Sequence, residues 1–101
     1  MTNTALKIKE LIKKGESETV EFKSSFNVET IETLVAFSNS KGGMVLIGVT
    51  DKNKINGVTL NNESLQNWIN EIKNKTSPSI IPDAEIVEIN NKQIVVILRK
   101  G

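Results

Sequence analysis

The run Met44–Val49, "MVLIGV", constrains this fold more than any other stretch. Side chains along a strand alternate between its two faces. Here both faces are apolar. A strand of that kind is buried on both sides and sits inside a sheet. The chain has 101 residues, enough for one domain spanning 1–101 and no second. Its core is aliphatic, since Phe22, Phe26, Phe37 and Trp68 are the only aromatic residues.

The elements around that run follow from periodicity. Thr4–Lys14 places Ala5, Ile8, Leu11 and Ile12 at helical spacing, with Gly15 as a stop. Thr19–Lys23 alternates, Val20 and Phe22 against Glu21 and Lys23, as a half-buried strand does. Asn27 caps a second helix with Glu29 in its first turn. Its expected apolar face is Val28, Ile31, Leu34 and Val35, and Gly42 and Gly43 are expected to end it. Phe26, just before it, is expected to pack on that helix as a staple. After "TDKNK", Ile55–Val58 is expected to return as a short strand. Asn61 or Asn62 caps a third helix, whose core stripe is Leu65, Trp68, Ile69 and Ile72. The "TSPSIIPD" break precedes two strands, Ala84–Ile89 and Gln93–Leu98, joined at "NNK" as a hairpin. The expectation is an α+β domain in the order α-β-α-β-β-α-β-β, with three helices and a mixed sheet of about five strands. The last strand, "IVVIL", ends near the end of the sequence. It is expected either to be an edge strand offering a homo-oligomer contact or to belong to a domain cut from a longer protein.

Composition excludes several chemistries. Without Cys there are no disulfides, thiolate nucleophiles or cysteine zinc sites; without His, no Ser-His-Asp triad and no histidine-ligated metal. No apolar run approaches the roughly 18 residues that cross a bilayer, and the N-terminus is too polar for a signal peptide, so no membrane partner and a cytoplasmic location are expected. The formal net charge is only +1. Nucleic-acid binding therefore needs a local patch rather than a basic surface overall.

Three carboxylates draw attention. Glu21 lies on the polar side of its strand, Glu16 at the loop entering it, and Asp51 just after the buried strand, where α/β proteins often place ligand-binding residues. If the two strands are neighbours, the three converge. Carboxylates without histidine suit a hard cation such as Mg²⁺ or Mn²⁺, which positions a phosphodiester and activates water. From spacing alone, acidic residues that simply keep the domain soluble are the better reading. "NSKGGMVLIG" runs helix, Gly-Gly, strand, the reverse of a phosphate loop, and presents the negative end of a helix dipole to the turn. Lys23, Lys41, Lys52 and Lys54 lie in or near loops of the first half and form a phosphate-binding patch if those loops share one side. Arg99 and Lys100 are expected to be solvated.

Taken in order, "ESETVEFK", "AFSNSKGG" and "MVLIGVTDKNKINGV" resemble the Schlafen/AlbA-type domain. The family pattern is roughly E-x-x-x-x-E-F-K, then A-F-A/S-N-x-x-G-G, then a strand ending G-V-x-D-x-x-x-x-x-G. Glu16, Glu21, Phe22, Lys23, Ala36, Phe37, Asn39, Gly42, Gly43, Gly48, Val49, Asp51 and Gly57 match it. The resemblance implies a DNA-binding domain of transcriptional regulators or RecG-related helicases, with DNA or RNA as partner. It also implies an alternative, a divalent-metal nuclease with Glu16, Glu21 and Asp51 as ligands and catalytic residues acting on RNA or single-stranded DNA. A self-association module is the third reading. Family domains continue into a basic, glycine-rich segment near "G-x-x-Y-x-R-x-G"; without it here, the expectation from the resemblance is that this chain is the N-terminal, C-terminally truncated part of a longer protein.

Overall fold

The computed structural model describes residues 2–101. Three helices, α1 (Asn3–Lys14), α2 (Val28–Ser38) and α3 (Asn62–Lys75), accompany four strands, β1 (Val20–Lys23), β2 (Gly42–Ile47), β3 (Asp83–Ile89) and β4 (Lys92–Lys100). The sheet order is β1-β2-β4-β3. β1 and β2 are parallel, with Val20 opposite Met44 and Lys23 opposite Ile47. A parallel pair needs a crossover, and α2 supplies it. The other two pairings are antiparallel.

The apolar run does what its composition demands. Leu46, with Phe22, Ile94 and Val96, packs under α1 against Ala5, Ile8 and Ile12. Val45 and Ile47, with Val95 and Ile97, pack on the opposite face against Ile31, Leu34 and Phe37 of α2 and Leu65 and Ile72 of α3. The sheet is thus the middle of three layers. Side-chain oxygens cap each helix start: Thr2 on Ala5 N–H, Asn27 on Glu29 N–H and Asn61 on Ser64 N–H. Asn90 and Asn91, both at positive φ, make the two-residue turn between β3 and β4, a conformation asparagine tolerates.

Several expectations need correction. Ile55–Val58 is not a fifth strand; it makes only isolated bridges, Val49 to Ile55 and Val58 to Gln93. The N–H groups of Asn56 and Gly57 both donate to Gly48 O, 2.9 Å each, so no ladder continues there. β4 is not an edge: β2 and β3 flank it, and the sheet's edges are β1 and β3. The contact face of α2 is Thr30, Ile31, Leu34 and Phe37, while Val28 is 60% exposed. Thr30 is turned inward because its hydroxyl closes the capping box on Asn27 N–H. Phe26 is not simply a staple; its ring stacks on Trp68 of α3, centroids 4.7 Å apart. The helix stops at Asn39, before the glycine pair. Gly42 instead opens β2 at φ 85, where a Cβ would lie 2.6 Å from Arg99 O and Gly101 N.

Leu46→Ala and Leu34→Ala, one on each face of the sheet, should each cost about 2–5 kcal/mol in urea unfolding. Gly42→Ala should cost about 1–3 kcal/mol through backbone strain alone.

Candidate functional site

The parallel pairing brings the carboxyl ends of β1 and β2 together. Lys23 O accepts from Gly48 N at 2.7 Å and from Val49 N at 3.2 Å. Beyond that point the chain folds into a tight loop, Thr50–Lys54. Thr50 N donates to Lys54 O at 2.8 Å, and Asn53 N donates to Thr50 O at 3.1 Å. The Thr50 hydroxyl accepts from the Lys52 and Lys54 N–H groups, 3.2 Å each. Asn53 sits at φ 63, which closes the turn. A fold-spanning bond from Asn56 Nδ2 to Ser24 O, 3.2 Å, ties the following segment to the end of β1. The loop is held by its own backbone and presents Asp51, Lys52 and Lys54 to solvent.

Glu16 has a structural partner. Thr19 O and Lys23 O both point to β2, accepting from Met44 N and Gly48 N. By alternation, Phe22 N–H points away from β2, off the open edge of β1. Glu16 Oε2 accepts that N–H at 2.9 Å. Glu21 shares its face with Lys23, whose Nζ lies 3.8 Å from Glu21 and 3.6 Å from Glu29. The Lys23 side chain is only 18% exposed, held between two carboxylates that link β1 to the first turn of α2.

The expected site residues are therefore only partly gathered. The segments bearing Glu16 and Asp51 do approach each other: a Cβ on Gly15 would meet Asn53 Nδ2 at 3.3 Å. Yet among the described residues no group of three or more Asp or Glu side chains is arranged to hold a metal ion. As placed, the three carboxylates do not form a ligand sphere. The four lysines do not share one surface either. Lys52 and Lys54 lie beyond the end of β2 and Lys41 before its start, separated by the six residues of the strand, about 20 Å. Arg99, expected to be solvated, donates from Nε to Ser38 Oγ at 2.6 Å and is half-buried.

The Schlafen, AlbA_2 family model matches residues 16–100. The chain belongs to that family. Membership carries a nucleic-acid-related function. Among solved structures, this Schlafen/AlbA_2 domain is similar to the DIP2311 protein from Corynebacterium diphtheriae, with TM-score 0.61 and 16% identity over 97% of this chain. At that identity the likeness shows the fold alone. The domain covers 22% of that protein's length. No curated protein matches. No helix among the described residues is long and apolar enough to cross a membrane.

Sequence reasoning passed over Lys9 and Lys92, which the fold carries to the Lys54 side of the loop. The helical i, i+4 spacing of Lys9 and Lys13 was a visible signal; their proximity to residues 54 and 92 was not.

The Glu16 geometry predicts a structural effect. Glu16→Ala leaves the Phe22 N–H without its acceptor and should cost about 1–2 kcal/mol. Glu16→Gln, which keeps a carbonyl oxygen, should cost less. Urea unfolding and the exchange rate of the Phe22 amide measure both.

Proposed function

We propose that this Schlafen/AlbA_2 chain is a nucleic-acid-binding domain, with DNA as its first ligand, serving a transcriptional regulator or RecG-related protein in the cytoplasm. The observation that carries the reading is the Thr50–Lys54 loop. It is braced by four hydrogen bonds and stands at the carboxyl ends of two parallel strands, where open α/β sheets bind ligands. Among the described residues its two lysines make no ion pair. A preorganised loop loses little conformational freedom on binding. Lys23, already neutralised, and Lys41, at the far end of β2, contribute less. With a net charge of +1, affinity depends on a few phosphate contacts rather than on a broad field.

Fluorescence anisotropy with short DNA and RNA oligomers tests this. Binding should weaken as salt rises, and Lys52→Ala with Lys54→Ala should flatten the log K against log salt slope by about 1.4–1.8. Binding that ignores both salt and those substitutions removes the reading.

A divalent-metal nuclease is the second reading, favoured by the approach of the Glu16 segment to the Asp51 loop at Gly15 and Asn53. It requires Glu16 and Glu21 to leave Phe22 N–H and Lys23 for Mg²⁺ or Mn²⁺. Mn²⁺-dependent cleavage of RNA or single-stranded DNA, lost in Asp51→Ala with the fold intact, supports it. Cleavage that survives Asp51→Ala counts against it.

A further inference from the structure

On the α1 side of the molecule lies a cleft of about 420 Å³ that neither the family nor the carboxylate constellation accounts for. Four lysines line it from three separate parts of the chain: Lys9 and Lys13 from α1, Lys54 from the loop after β2, and Lys92 from the start of β4. Lys9 and Lys13 are four residues apart and share one helix face. Its floor is apolar, made by the buried Ile12 and the half-buried Ile55. Asn53 and Asn90, both at positive φ, complete the wall. No carboxylate lines it.

Gathering like charges in one cleft works against the compact state. The fold recovers part of this at one position, where Lys92 Nζ donates to Ile55 O at 3.2 Å. Glu10 approaches Lys13 from outside, at 3.8 Å, in a pair whose side chains are both more than two-thirds exposed. Such a pair contributes little. Lys9 and Lys54 make no ion pair among the described residues. A cleft lined by two unpaired ammonium groups, Lys9 and Lys54, two further lysines, side-chain amides and no acid suits an anion.

We propose that this cleft binds consecutive phosphates of a nucleic-acid strand, an inference that rests on the nucleic-acid reading above. Two features favour a strand over a single phosphate, and a third favours its backbone over its bases. The cations are lysines, point charges without the forked geometry that grips one phosphate bidentately. They reach the cleft from three separate parts of the chain, α1, the loop after β2 and the start of β4. No aromatic ring lines it, so nothing there stacks a base. The contact is with the backbone and does not read sequence. Lys54 belongs both to this cleft and to the loop at the ends of β1 and β2, so a bound strand passes from one to the other.

The test uses the whole chain with a 15-nucleotide single strand, the corresponding duplex, and tripolyphosphate. Lys9→Gln with Lys92→Gln should flatten the log K against log salt slope by about 1.4–1.8, the loss of two phosphate contacts. Lys73→Gln with Lys75→Gln, on α3 across the sheet, should leave the slope unchanged. Amide resonances of Lys9, Asn90 and Lys92, outside the Thr50–Lys54 loop, should shift in the unsubstituted chain on adding oligomer, a readout independent of how well the variants fold. An unchanged slope in the Lys9/Lys92 variant, together with unmoved amides while Lys52/Lys54 still matter, overturns the cleft and leaves the nucleic-acid reading standing. Shifts with tripolyphosphate and none with either oligomer overturn the strand and the nucleic-acid reading together.

Discussion

The burial of β2 on both faces is the constraint from which the rest follows. Val45, Leu46 and Ile47 are all fully enclosed, and adjacent residues point to opposite layers. One helix cannot cover both faces, so α1 takes one and α2 with α3 the other. With both faces covered, the sheet has only its ends and its two edge strands for contact with anything else. The loop after β2 occupies one of those ends, and its Asp51, Lys52 and Lys54 are exposed there.

Many of the charges are parts of the scaffold. Glu16 satisfies an edge N–H, Lys23 bridges a strand to a helix, and Arg99 joins the end of β4 to the end of α2. In each case the side chain meets a group that its secondary structure alone leaves unsatisfied or uncompensated. The matches to the family pattern at Glu16 and Lys23 thus have a folding explanation in this molecule. The same two residues stand beside the loop that carries Asp51, so scaffold and site share side chains here.

Much of the fold was legible in the sequence because its signals are local. The three helices announce themselves through periodicity and capping residues, and β2 through its unbroken apolar run. What failed was nonlocal. Ile55–Val58 reads as a strand by composition, but Gly48 O is shared between two N–H groups and no ladder forms. "IVVIL" reads as an edge by its place in the chain, yet β2 pairs with it on the side away from the expected hairpin partner β3. Val28 and Val35 reads as core on a helical wheel that Thr30 and Phe37 actually orient. The site shows the same division. That β1 and β2 are neighbours was only a condition at the level of sequence and is supplied by their parallel pairing, whereas the lysine cleft depends on residues 9, 54 and 92 meeting, and no spacing in the chain encodes that.

The stack of Phe26 on Trp68 has a practical corollary. Trp68 is the chain's sole indole, and it rests on the joint between the entrance to α2 and the middle of α3. Its emission is therefore a one-sided witness. It registers loosening of the two-helix layer, while events under α1, on the far side of the sheet where Phe22 is the aromatic residue in the core and no indole lies, pass largely unseen.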